Sequence, residues 1–135
     1  MIRIKRTYEP VARGDGRRVL VERLWPRGMK KEELNADAWL KDIAPTTALR
    51  KWFGHRVERW HEFRKRYRQE LRANRAGWSS LLAASKRGTV TLLYSAHDLE
   101  HNGAVVLRQY LLERAGPRAP RLTKATNANG SSRSR

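Results

Sequence analysis

The sequence contains no cysteine. That excludes a disulfide framework, a thiolate metal site and a cysteine nucleophile. Acidic residues are scarce: 13 Asp and Glu stand against 30 Lys and Arg, for a formal net charge of +17. No segment approaches the roughly 18 apolar residues of a membrane span, so no membrane partner is expected. The N-terminal MIRIKRTYEP holds no apolar run of signal-peptide length. Together with the missing cysteines, this points to a cytoplasmic protein. No internal repeat is visible.

What is present is a globular composition: 39% hydrophobic and 32% charged residues over 135 positions. That length corresponds to one domain with a core that needs no covalent staples. From Gly116 onward five basic residues (Arg118, Arg121, Lys124, Arg133, Arg135) meet no acidic one, so the preceding part carries the remaining +12. Such a surface attracts nucleic acid or phosphorylated metabolites. A proteome that favours arginine produces the same excess without any ligand.

Ile2 to Tyr8 alternates apolar and basic residues and reads as a first strand. RGDG, Arg13 to Gly16, makes a turn, and Arg17 to Trp25 reads as a buried strand ended by Pro26 and Gly28. Met29 to Asn35 fits a short helical turn. Thr46 or Thr47 fits the N-cap of a helix through Trp52, ended near Gly54. A longer helix is predicted over Val57 to Asn74, where Trp60, Phe63, Tyr67 and Leu71 form one apolar stripe. Arg59, Lys65, Arg66, Arg68 and Arg72 occupy its opposite face. Gly77 interrupts, and Trp78 to Lys86 reads as another short helix. TVTLLYSA, Thr89 to Ala96, is a continuous apolar run of the kind found in a buried parallel strand. A last helix spans about His101 to Arg114.

These elements predict a small single-domain α/β fold over residues 1–115. Its sheet is short and at least partly parallel, of about three strands, with four to five helices packed on it. Residues 116–135 are expected to form a basic, disordered tail. If the second and last strands are parallel, the helices between them form a right-handed crossover. In such sheets ligands bind beyond the carboxyl ends of the strands. Two loops lie there: RLWPRG after the second strand and SAHDLEHN after the last.

The blocks RVLVERLWPRG, AWLKDIAPTTALRKWFGH, RWHEFRKRYRQEL and LLYSAHDLEHNGAVVLRQYL occur in this order. In these blocks, from Met1 to about Leu112, the chain resembles the YeaO-like family, a set of small bacterial proteins within a larger domain of unknown function. The resemblance implies a compact α/β domain and supplies no reaction. It also implies two departures. The family usually has Asp where this chain has Glu22, and Lys where it has His97.

His97, Glu100 and His101 spell H-x-x-E-H, the inverted zinc-peptidase motif. A catalytic zinc needs a third protein ligand, and after His101 the next acidic residue is Glu113, about 18 Å further along one helix at 1.5 Å per residue. His97 sits at the strand end rather than within a helix. We therefore expect no metal and no other cofactor. The same loop offers a different chemistry. Asp98 is expected to cap the following helix, whose free N–H groups favour a nearby anion. His101 and Asn102 are expected to face the crevice that holds Arg23 and Arg27.

RLWPRG supplies guanidinium forks at Arg23 and Arg27 for carboxylate or phosphate oxygens. Trp25 offers a flat face for a ligand. The structural alternatives are that Arg23 pairs with Glu22 or Asp42 and that Trp25 fills the core. His55, just past Gly54, points into the site or caps a helix carbonyl. Ser95 is a further ligand-binding candidate, although no nucleophile elbow surrounds it. Arg64 and Tyr67 would complete an anion pocket. The expected function is binding of a small anion through Arg23, Trp25, Arg27, His55, Ser95 and Asn102. Acid–base chemistry would fall to His101, oriented by Asp98. Two other readings compete. One is low-specificity nucleic-acid binding by the basic helix and tail. The other is a homodimer formed through exposed aromatics.

Overall fold

The computed structural model describes residues 1–116. The predicted disordered tail lies, from residue 117 on, outside the described residues. Four strands form the sheet: β1 (Ile2–Arg6), β2 (Arg17–Leu20), β3 (Ala38–Trp39) and β4 (Val90–Tyr94). Their order is β1-β4-β2-β3, and every pairing is parallel. Among the described residues five α-helices accompany them: α1 (Lys31–Leu34), α2 (Thr47–Phe53), α3 (Trp60–Arg72), α4 (Arg75–Arg87) and α5 (Gly103–Ala115). The α/β class and the parallel sheet agree with the sequence reading. The sheet has one strand more than expected, because β3 is only two residues long and leaves no periodic trace.

β4 is buried along its whole length. Side chains alternate across a strand, so the two faces can be read separately. Val90, Leu92 and Tyr94 join the large core with Val19 and Val21 and with the apolar faces of α2 to α5. Leu93 turns to the other side, where it meets Leu20 and Leu34, with Trp25 and Met29 closing over them. Covering on both faces explains why VTLLY shows no polar alternation.

The stripe predicted on the long helix is real: Phe63, Tyr67 and Leu71 are buried and Trp60 packs against the same core. The helix itself starts later than expected. Val57–Arg59 is a separate 3-10 turn, closed by the Trp60 amide donating to the Val57 carbonyl. Gly77 does not interrupt but lies inside α4. A Cβ there would come within 2.6 Å of both the Ile43 side chain and Asn74, so glycine allows α4 to approach closely.

An ion cluster with a buried Asp15 at its centre packs against the sheet at the turn into β2. Asp15 accepts from Lys5 Nζ at 3.0 and 3.1 Å, from Arg18 Nη1 at 2.5 Å and from the Ala12 amide at 2.9 Å. Arg18 also donates to the Leu34 and Asn35 carbonyls, which ties α1 to β2. The Asp15 carbonyl accepts from Thr91 Oγ1 at 2.7 Å, which ties the cluster to β4. Burial alone would raise the Asp15 pKa, but the Ala12 amide, Lys5 and Arg18 outweigh it and hold it at about 2, against 3.8 for an ordinary aspartate.

A carboxylate whose pKa is depressed on folding contributes stability above its unfolded value and loses it as the pH falls through the folded value. The Asp15 contribution should therefore be complete above about pH 4 and mostly gone near pH 2. At neutral pH, Asp15→Asn leaves two cations without their counter-charge and should cost about 3 kcal/mol or more. In urea unfolding, the gap between wild type and variant should narrow by about 2 kcal/mol between pH 7 and pH 2. A gap independent of pH would refute this assignment.

Candidate functional site

Because all strands are parallel, their carboxyl ends share one edge of the sheet. A cleft of about 690 Å³ opens there. Residues 21–27 after β2 and residues 95–98 and 102–104 after β4 supply two of its walls. Ala44, Pro45, Arg50, Phe53 and His55, on and around α2, supply the third, with Tyr8 and Phe63 completing the lining. The rule that ligands bind beyond strand ends thus picked both loops correctly as cleft walls.

The two loops are joined by one carboxylate. Glu22 Oε2 accepts from the Ser95 amide at 2.9 Å. Arg23 is spent on structure: it donates to the Ala44 carbonyl at 3.1 Å and the Pro45 carbonyl at 3.4 Å, and pairs with Asp42 at 3.5 Å. Trp25 donates its indole N–H to the Met29 carbonyl at 2.6 Å and meets Trp39 edge-on, with ring centroids 5.4 Å apart. It therefore serves the smaller core and the cleft wall together. Arg27 is exposed on the cleft, and its carbonyl accepts from the Tyr8 hydroxyl at 3.2 Å. Arg50, near the end of α2, is likewise exposed on the cleft. Neither guanidinium makes a hydrogen bond or ion pair among the described residues.

His55 lines the cleft with a backbone φ of 58°, directly after Gly54 at 51°. Few non-glycine residues adopt that region, although histidine tolerates it better than most. Its ring lies 6.1 Å from that of Phe53, which in turn stacks on Phe63 at 4.3 Å. Aromatic faces thus back the cationic rim. Ser95 also lines the cleft, and its Oγ is shared with the Thr7 hydroxyl at 3.2 Å.

The loop after β4 differs from expectation. Asn102, not Asp98, caps α5: its side-chain oxygen accepts from the Val105 amide at 3.0 Å. Asp98 instead organises its own turn. Its Oδ1 accepts from the Glu100 and His101 amides at 2.9 and 3.0 Å, and its Oδ2 meets His101 Nδ1 at 2.9 Å. The Glu100 amide first and the His101 side chain second hold the Asp98 carboxyl below its ordinary pKa. His101 does not line the cleft. Its ring stands edge-on to Trp60 at 5.1 Å. Asn102 and Asp98 do line it, and so does His97.

The H-x-x-E-H stretch lies in this loop, ahead of α5, so its histidines never share a helix face. Among the described residues, no three His, Asp or Glu side chains are grouped to hold a metal ion. Tyr67 does not complete an anion pocket. It is buried and donates to the Ile43 carbonyl at 2.7 Å, and burial raises its pKa well above the ordinary value. Arg64 reaches Gln109 instead, and neither residue lines the main cleft. Sequence reasoning missed Arg50 and the aromatic wall of Phe53 and Phe63. The helix carrying Arg50 was foreseen, but nothing in its spacing says which side faces the cleft.

A family model described as the inactive DUF488-N3 subclade matches residues 1–132. The uncharacterized protein YeaO of Escherichia coli (strain K12) is 44% identical over 110 residues, covering 82% of this chain and 96% of YeaO. The chain belongs to this family. Two mycobacterial relatives are 38% identical over 110 residues, covering 82% of this chain and 92% of their own: the uncharacterized proteins Mb3100c of Mycobacterium bovis and Rv3073c of Mycobacterium tuberculosis (strain H37Rv). The YeaO-like resemblance seen in the four sequence blocks is therefore correct. No solved structure matches the chain. Among the described residues, no helix is long and apolar enough to cross a membrane.

Asn102→Ala should cost about 1–2 kcal/mol in urea unfolding, and Asn102→Asp should recover only part of it, because the Asn102 Nδ2 also donates to the Asp98 carbonyl at 2.9 Å. Equal stability of wild type and the alanine variant would remove Asn102 from the role of cap.

Proposed function

We propose that this member of the YeaO-like family binds a small phosphate- or carboxylate-bearing molecule in the cleft at the strand ends. The observation that carries the reading is a mismatch of charge commitments. Asp98 has both oxygens occupied by hydrogen bonds and Glu22 has one, whereas Arg27 and Arg50 have no counter-charge among the described residues. Guanidinium groups gathered on a concave surface with aromatic backing are suited to an anion that also has an apolar part.

Binding is favoured over the chemistry expected of His101 and Ser95 for two reasons. His101, the titrating group proposed from sequence, does not line the cleft, and Ser95 Oγ meets Thr7 rather than a base. The family description, with its word inactive, points the same way. The competing readings have less to rest on. The basic face of α3 is partly neutralised, since Arg66 pairs with Glu62 at 2.8 Å and Arg68 with Glu113 at 2.6 Å. Of the five tryptophans only Trp39 is exposed, and Tyr8 is the other exposed aromatic among the described residues, which leaves two separate rings rather than an aromatic face for a dimer.

Thermal unfolding of the full chain with inorganic phosphate, acetate or glycerol phosphate, at about 50 mM and about 300 mM salt, tests this. At least one anion should raise the melting temperature at both salt concentrations. Arg27→Ala and Arg50→Ala should each remove most of the rise. A rise that disappears at the higher salt, or survives unchanged in both variants, would leave only general attraction to a basic surface.

A further inference from the structure

We infer that Glu22 sets the class of ligand this cleft accepts. Beside its phosphate or carboxylate, the ligand carries a hydrogen-bond donor, a hydroxyl or an ammonium, that docks on Glu22 Oε1. The inference rests on the anion-binding reading above and narrows it.

Glu22 is a half-buried part of the cleft wall just past β2. Its main-chain carbonyl accepts the Trp39 indole N–H at 2.7 Å, and its Oε2 accepts the Ser95 amide at 2.9 Å. Both contacts fix where the carboxylate stands. Oε1, in contrast, receives no donor among the described residues. Asp98, the other carboxylate on the cleft, has donors on both oxygens. Arg23, the neighbour of Glu22 in sequence, is directed to the Ala44 and Pro45 carbonyls and to Asp42. It does not neutralise Glu22.

A carboxylate in a cationic cleft repels a bare anion and weakens its binding. A ligand that brings its own donor turns that repulsion into a charge-assisted hydrogen bond. The same carboxylate therefore rejects one class and rewards another, which is how discrimination is commonly built. The cleft has room for the required carbon skeleton: about 690 Å³, backed by Phe53, Phe63 and Trp25.

Calorimetric titration of the full chain at about pH 8, where phosphate monoesters have lost their second proton, separates the possibilities. The probes are methyl phosphate, glycerol phosphate and phosphoethanolamine. Glycerol phosphate, phosphoethanolamine or both should bind at least about tenfold tighter than methyl phosphate. The stronger of the two tells whether the donor is hydroxyl or ammonium. In Glu22→Gln, the amide oxygen can still serve Ser95, leaving its NH₂ toward the ligand. That variant should bind methyl phosphate tighter than wild type does and lose the preference for the other two. Equal binding of all three probes by wild type would overturn the inference while leaving the anion site standing, and this comparison needs no variant to fold. Uniform weakening of all three in Glu22→Gln would reduce Glu22 to a structural link. If wild type binds none of the probes, the anion-binding reading fails as well.

Discussion

The arrangement at the cleft follows from one constraint: β4 lies between β1 and β2 and runs parallel to both. A central parallel strand has its main chain hydrogen-bonded on both sides and its side chains covered on both faces, which is why VTLLY is apolar throughout. The ladder continues past the strands. The Thr7 amide donates to the Tyr94 carbonyl at 2.8 Å, and the Val21 amide to the Leu93 carbonyl at 3.3 Å. Three separate exits of the chain are thereby held side by side. The Lys5–Asp15–Arg18 cluster joins β1, β2 and the turn before β2.

Charge then decides what the cleft is suited to. Carboxylates in this chain are few, and those near the sheet are put to structural use. Asp15 is enclosed by two cations, Glu22 joins the two loops, and Asp98 organises the turn before α5. Several cations are committed too: Arg23 to main-chain carbonyls and Asp42, Arg18 to the end of α1. The cations left without a counter-charge on the concave surface are Arg27 and Arg50, which stand with the half-committed carboxylate of Glu22. The basic excess of the sequence is thus informative at two positions and mostly uninformative elsewhere. On α3, Arg66 lies against Glu62 and over the Trp52 ring, and Arg68 lies against Glu113.

How much of this could be read from the sequence depended on how local each signal was. β4 and the α3 stripe were legible because five consecutive buried residues, or apolar residues spaced by three and four, leave a pattern in one segment. β3 was not, since two residues carry no pattern and its pairing depends on the Asp37 amide and the Leu40 amide reaching carbonyls of β2. The cap of α5 was misassigned between Asp98 and Asn102. Both residue types cap helices, and only the course of the intervening turn shows that Asp98 closes on His101 while Asn102 reaches Val105. The cleft loops were foreseen from the expectation that the second and last strands run parallel. Of the residues named from sequence, Arg23, Trp25, Arg27, His55, Ser95, Asp98 and Asn102 line the cleft, and Arg50 does so without having been named. His101 was expected there and lies against Trp60 instead. Those differences turn on helix rotation and loop packing, which no short stretch of sequence encodes.

The most direct test of an anion site at the strand ends is to follow backbone amide resonances of the isotopically labelled full chain during titration with glycerol phosphate. Saturable shifts should concentrate in residues 21–28, 50–55 and 95–104, with the exposed face of α3 and α4 unmoved. Shifts spread over the basic residues of α3 and α4, with the strand-end loops silent, would contradict it.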